Sequence, residues 1–303
     1  MTQPRLIVVG SSNTDMIVRA ERLPLPGETV LGGDLSIAAG GKGANQAVAA
    51  ARLGAQVTFV ARVGQDMFGQ QALDNFRREG VDVQYLVADP EAPSGVALIV
   101  VGPGGQNIIA VAPGANGRLT PADVAAAQPA LAQARVMLLQ LEIPLPTVLA
   151  AAEAGRAAGL TVILNPAPAQ PLPDELLAVV DLLTPNESEA ALLSGSPTPE
   201  AAAAALLQRG VGGVIITLGE AGALVAAGAA APRRIPGFPS QAIDTTAAGD
   251  AFNGGLATAL ARDQGIAAAV RYAHAVAALS VTRLGAQPSL PKAGEVEQFL
   301  REH

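Results

Sequence analysis

The sequence predicts an α/β protein in which a mostly parallel central sheet carries helices on both faces and a small β-sheet lid is inserted into it. Three observations lead there. Short apolar runs alternate with Ala-rich stretches along most of the chain. The spacing between runs leaves room for a crossover helix, which parallel strands need. Two segments punctuated by Pro and Gly break this rhythm and show no helical pattern.

In chain order, strands are expected at Arg5–Val9, Val57–Val63, Val136–Leu141, Leu160–Asn165, Leu182–Thr184 and Val214–Leu218. Helices are expected at Asn45–Leu53, Gln71–Glu79, Pro121–Gln133, Thr147–Ala158 and Glu200–Gln208. A further helix should start just after Gly249, where Phe252, Gly255, Leu256, Ala259 and Leu260 recur at helical spacing. The segment Ile17–Ile37 places Pro24, Pro26, Gly27, Gly32 and Gly33 between short β-like pieces. Ser94–Pro113 reads as a hairpin, with Val96–Val101 and Ile108–Val111 joined through Gly102-Pro103-Gly104-Gly105. The alternative for these segments is a pair of decorated surface loops. Read as strands, they divide the chain into an α/β body that binds nucleotide and sugar (1–12, 38–93 and 114–303) and an inserted lid (13–37 and 94–113). Exposed lid edges invite pairing, so a homodimer through these strands is expected.

Composition narrows the function. Half of the 303 residues are hydrophobic but only 3% are aromatic and there is no Trp, which disfavours a site built on aromatic stacking. A net charge of −7 and a pI near 4.9 argue against nonspecific nucleic-acid binding. With no Cys, disulfides, thiolate nucleophiles and Cys zinc sites are excluded, and two His cannot make a His-rich metal site. No apolar run is long enough to span a membrane, and the first one is too short for a signal peptide. The expectation is a cytoplasmic protein without membrane partners.

The segment Asp244-Thr245-Thr246-Ala247-Ala248-Gly249-Asp250-Ala251-Phe252-Asn253-Gly254-Gly255 concentrates what phosphoryl transfer needs. A turn of small residues leaves backbone N–H groups open at a helix N-terminus, where anions bind. Asp250 sits in that first turn. Beside a bound anion, a carboxylate makes sense as a proton acceptor for an incoming nucleophile; alternatively it only complements the helix dipole. Gly40-Gly41-Lys42-Gly43-Ala44-Asn45-Gln46 is neither a P-loop, which needs Ser or Thr after Gly-Lys, nor a dinucleotide fingerprint, whose last Gly or Ala is replaced by Gln46. It suits a hydroxyl-rich ligand approached by backbone, Lys42 and Asn45, or else a structural turn. Asn13 and Asp15 follow the first strand and Glu142 closes another, where ligands of open parallel sheets bind; an Asx turn is the plainer reading of the first pair. Asn186 and Glu189 share one helical face and could hold Mg²⁺ through water, or simply form a helix start. Thr217, Gly219 and Gly222 end a strand where a nucleotide could pass the backbone.

Both glycine-rich segments, in this order, resemble the two motifs of the phosphofructokinase-B-type (ribokinase-like) sugar kinase family, and the likeness covers nearly the whole chain. Gly41–Gln46, Gln140-Leu141-Glu142, Asn165–Ala169, Ile235–Phe238 and Thr282–Ser289 look like the ribose-specific branch. The resemblance implies that ATP phosphorylates D-ribose at its 5-hydroxyl. Asn13, Asp15, Gly41, Lys42, Asn45 and Glu142 would hold the sugar. Asp250 would be the base, beside an anion hole at Ala247, Ala248, Gly249 and Asp250. Asn186, Thr217, Gly219, Gly222, Gly249 and His274 would line the nucleotide site. Besides Mg²⁺ with ATP, a K⁺ ion would be bound by Asp244, Thr246, Ser280, Arg283, Gly285 and Ser289. Many relatives have Gly where this chain has Ala247, so the backbone is expected to avoid conformations that only Gly tolerates. The alternatives are a kinase of deoxyribose, fructose, a ketogluconate or a nucleoside, or a non-catalytic sugar-binding protein. A nucleoside slot would have to be unusually aliphatic, and a dinucleotide oxidoreductase lacks its fingerprint.

Overall fold

A computed structural model describes residues 3–228 and 230–303. A nine-stranded sheet runs through the body in the order β13-β12-β11-β10-β9-β8-β1-β4-β5. These strands are β1 (Arg5–Val9), β4 (Gln56–Gly64), β5 (Leu86–Asp89), β8 (Val136–Leu139), β9 (Thr161–Leu164), β10 (Leu182–Leu183), β11 (Gly213–Thr217), β12 (Ala223–Ala227) and β13 (Arg233–Ile235). The seven from β11 to β5 pair in parallel, while β12 and β13 turn back antiparallel. β1 lies between β4 and β8. Strand order reverses there, and the crevice beyond its carboxyl end is where an open α/β sheet binds ligands.

Helices cover both faces. On one side pack α1 (Lys42–Arg52), α2 (Met67–Arg78), α9 (Ala248–Ala261), α10 (Ile266–Ser280) and α11 (Ala293–Glu302). On the other lie α3 (Pro121–Ala126), α4 (Gln128–Leu131), α5 (Leu145–Ala157), α6 (Asp174–Leu177), α7 (Glu187–Ser194) and α8 (Pro199–Gln208). The helix expected over Pro121–Gln133 is thus two, parted at Ala127, because Pro129 cannot continue the hydrogen-bond ladder. Strands β5, β12 and β13 went unread in the sequence. β12 is Ala-rich, and β13 is a short edge strand with two charged residues.

The two irregular segments form one four-stranded sheet, β3-β2-β6-β7, made of β2 (Asn13–Ala20), β3 (Gly32–Gly40), β6 (Gly95–Val101) and β7 (Asn107–Ala112). β3 runs on to Gly40, past the boundary expected at 37. The hairpin of β6 and β7 closes through 102–106. Polar clamps fix the roots of this lid. Asp66 accepts from the Ser94 backbone N–H and hydroxyl at 2.8 and 2.7 Å. The buried Asn116 amide bonds both Ser12 and Asn13. Among the described residues no helix is long and apolar enough to cross a membrane.

Candidate active site

The crevice is assembled by close backbone approaches that only small residues permit. Gly41 has φ 90°, turning the chain from β3 into α1. A Cβ on Gly43 would stand 2.6 Å from the Ser11 nitrogen, so α1 can start directly on the end of β1. Glu142, beyond β8, accepts from the Lys42 backbone N–H at 3.0 Å and from the Ser11 hydroxyl. Ala and Gly on the facing sides of α1 and α9 let these helices nearly touch: a Cβ on Gly254 would meet that of Ala49 at 2.6 Å. This contact carries Asp250, in the first turn of α9, onto the first turn of α1. Asn45 Nδ2 donates to Asp250 Oδ2 at 2.9 Å and Gln46 Nε2 to Oδ1 at 3.0 Å.

Among the described residues Lys42 is the cation set among the carboxylates of Asp250, Glu142 and Glu189. Burial works against its charge, but Asp250, Glu142 and Glu189 outweigh that and raise its pKa. Burial pushes the Asp250 carboxyl up, opposed by Lys42 and by the Asn45 and Gln46 hydrogen bonds. Asp15 is raised to about 7 by burial and then by the charges of Glu142 and Asp250. Buried Asn45 Oδ1 has no partner among the described residues, so the amide that donates to Asp250 carries an unpaired acceptor. Asn13 spends its Oδ1 on Asn116, which leaves its N–H₂ to donate. A cavity of about 440 Å³ opens beside Asn13 and Glu142 and is flanked by Val111 of the lid.

On the other side of Asp250, two cavities share Thr217, Thr245, Ala248 and Gly249. The one of about 220 Å³ is polar and holds Lys42, Asn186, Glu189 and Asp250. The other, about 380 Å³, is lined by Gly219, Phe238, Phe252, His274 and Ala277. His274 packs on Phe252, and burial lowers its pKa to about 4, keeping the ring neutral at physiological pH. Its Nε2 has no partner among the described residues. The arrangement fits a triphosphate in the first cavity and a planar base in the second. Gly222 is not in the lining. It closes a turn with φ 98° and packs against Ile235–Gly237.

The turn between the cavities departs from expectation in two ways. Ala247 adopts φ 60°, ψ 13°, the left-handed region that Gly favours, rather than avoiding it; for an L-residue this costs roughly 1–2 kcal/mol. The Ala248 N–H is spent on Thr245 O at 3.2 Å. Among the described residues no side chain caps α9, and the N–H groups of Ala247, Gly249 and Asp250, three rather than four, are without partners; these residues line the polar cavity.

The expected metal positions differ in character. Asp244 ties two loops together: its Oδ1 accepts from the Thr246 N–H and hydroxyl, and its Oδ2 from the Gly285 N–H at 2.9 Å. Ser280 and Ser289 are buried, with hydroxyls bonded to nearby carbonyls, and Arg283 N–H bonds Ser280 O. Carboxylate, hydroxyl and carbonyl oxygens are the donor types a hard monovalent cation takes, and Asp244 links the 244–246 turn to Gly285. Asn186 and Glu189 form a reciprocal capping box at the start of α7. Their shared face thus has a structural cause. Glu189 spends one oxygen on the Asn186 N–H, and no group of three or more His, Asp or Glu among the described residues is arranged to hold a metal directly.

Sequence reasoning brought Asp15, Lys42, Asn45, Glu142 and Asp250 to one crevice. It missed Asn116, which holds Asn13, and Ser11, which holds Glu142. It also left Gln46 and Gln140 without roles although both stand inside quoted motifs. Nothing local in the sequence marks Asn116.

Known proteins agree with this geometry. The profile of the pfkB family carbohydrate kinases matches residues 3–293. A ribokinase of Haemophilus influenzae is 44% identical over 303 residues, spanning 98% of each chain. A deoxyribokinase of Salmonella typhi is 37% identical over 301 residues, 97% of this chain and 98% of that one. The solved structure of Arabidopsis thaliana ribokinase complexed with ribose and ATP superposes with a TM-score of 0.91 at 35% identity, covering 99% of both chains. Fold, crevice and sequence together place the chain in the pfkB family of carbohydrate kinases.

Proposed function

We propose that the protein transfers the γ-phosphoryl group of ATP to the 5-hydroxyl of D-ribose, with Asp250 as the general base. The observation that carries this reading is the position of Asp250 itself. It is buried at the start of α9, bonded to Asn45 and Gln46 of α1 and beside open N–H groups. Asp15, Asn13, Asn45 and Glu142 orient the sugar so that one hydroxyl meets the phosphate. Asp250 accepts its proton as the oxygen attacks in line. The N–H groups of Ala247, Gly249 and Asp250, with the Lys42 ammonium, stabilise the charge on the transferring group. Mg²⁺ bound with ATP would neutralise the phosphate oxygens, and Glu189 with Asn186 would hold it through water. The loops at Asp244, Thr246, Ser280, Arg283, Gly285 and Ser289 would hold K⁺.

The homodimer belongs to the same proposal. The register of the lid puts Leu35, Ile37, Leu98 and Ile108 on the face opposite Asp15, and all four are exposed. An apolar sheet face of this kind is covered by a second copy of itself.

A coupled ADP-release assay over pentoses, hexoses and nucleosides tests the substrate. Ribose should give the highest kcat/KM. A higher value for a nucleoside, a hexose or deoxyribose would refute the assignment to ribose while leaving the family in place.

A further inference from the structure

Behind Asp250 lies a buried chain of amides that the proposed chemistry does not use. Gln46 is fully buried at the start of α1. Its Nε2 donates to Asp250 Oδ1 at 3.0 Å and to Asn165 Oδ1 at 3.2 Å. Its Oε1 accepts from Gln140 Nε2 at 2.7 Å. Asn165 is oriented in turn by donating to Thr184 O at 3.1 Å. Gln140, also fully buried, comes from beyond the end of β8, and Gly10 makes room for it: a Cβ there would stand 2.0 Å from Gln140 Oε1. That Oε1 has no partner among the described residues, an expensive way merely to fill a core. The partners also fix the Gln46 amide. Flipped, its oxygen would face the carboxylate of Asp250 and the oxygen of Asn165, and its N–H₂ would face that of Gln140.

We propose that Gln46 is a positioning residue for phosphoryl transfer: it holds one oxygen of Asp250 so that the other can meet the sugar hydroxyl, and Gln140 sets which way the Gln46 amide points. This rests on Asp250 being the base. The groups acting on Asp250 divide by sign. Lys42, Asn45 and Gln46 favour the carboxylate, while burial and Glu142 oppose it; Asp15 and Glu189 add negative charge to the same cluster. A carboxylate that loses a buried donor binds its proton more tightly. The base is then active only at higher pH.

The test is the pH profile of kcat at saturating ribose and ATP for Gln46→Met, Gln140→Met and the double variant, with melting temperatures alongside. For Gln46→Met the acid limb of kcat should move up by about one pH unit, and kcat at pH 7 should fall by roughly tenfold. Activity should recover toward the parent at alkaline pH, with the KM for ATP nearly unchanged. Gln140→Met should shift the limb in the same direction by less. If a single variant misfolds, the double variant carries the same prediction, because replacing both glutamines leaves neither amide unpaired against the other. In an Asp250→Asn background, adding Gln46→Met should not lower the residual kcat further. A folded Gln46 variant whose profile overlays that of the parent overturns the positioning role and leaves the base reading intact. A further loss in the Asp250→Asn background also overturns it, by placing the effect elsewhere. Near-normal kcat in Asp250→Asn alone is the separate result that removes the base.

Discussion

As the proposed sugar ligand, Asp15 is a carboxylate that burial makes pH-dependent. Held up to about 7 by burial, Glu142 and Asp250, it carries a proton below that pH and loses it above. Gripping hydroxyls as a double acceptor needs the ionised form. The KM for ribose should therefore fall as pH rises through about 7, in initial-rate measurements at fixed ATP; a flat profile would detach Asp15 from the sugar. The sign for stability is opposite. A carboxyl raised in the folded state adds stability that is full below its unfolded value and lost as pH rises through 7. Sugar-free protein should accordingly melt lower as pH climbs through that window. The same residue bears on substrate choice. A missing 2-hydroxyl leaves a buried polar group at Asn13 or Asp15 unpaired, so ribose should exceed deoxyribose in kcat/KM by roughly tenfold. Equal or reversed preference would align the chain with its deoxyribokinase relative. At this scale the sequence was legible where chemistry is packed into one short segment, as at Gly40–Gln46 and Asp244–Gly255. It was opaque at Asn116 and Gln140, whose partners lie roughly a hundred positions away along the chain and obey no local periodicity.

The turn from Asp244 to Asp250 is the element where local strain and function meet. Ala247 holds a left-handed conformation that Gly would adopt freely. Ala247→Gly should relieve that strain, offset by greater freedom of the unfolded chain, for a net change within about 1 kcal/mol. A loss of several kcal/mol in denaturant melts would show that the Ala methyl packs against something essential. The turn is anchored to the 283–289 loop by Asp244 and Gly285, so a cation there would stiffen the anion-binding N–H groups. K⁺ should raise kcat several-fold over Na⁺ or a bulky organic cation, and indifference to K⁺ across a titration would make the loop purely structural. Several helices were legible because Ala-rich periodic stretches have little else to become, but α6, α10 and α11 were not among those expected. The capping box of Asn186 and Glu189 explains why those two residues share a face before any metal is invoked. Strands β5 and β13 were hidden because edge strands of four and three residues are too short to set up a pattern.

Across the whole molecule, the candidate site residues lie beyond the carboxyl ends of the parallel strands, beside the four-stranded sheet. The lid's far face is apolar and exposed at Leu35, Ile37, Leu98 and Ile108. A dimer should be seen by light scattering at micromolar concentration, and Ile37→Asp with Leu98→Asp should give monomers that remain folded. A fully active parent monomer would contradict lid pairing. Fold class could be read from the alternation of strands and helices, but the antiparallel β12 and β13 could not, since strand direction leaves no trace in hydrophobic pattern. Sugar face, helix start and amide chain all converge on Asp250, so the most direct measurement is kcat for Asp250→Asn, taken with its ATP affinity and melting temperature. As the base, its loss should lower kcat by ~10²–10⁴-fold while ATP still binds at the open N–H groups and the protein stays folded. A folded Asp250→Asn protein with near-normal kcat would contradict that role.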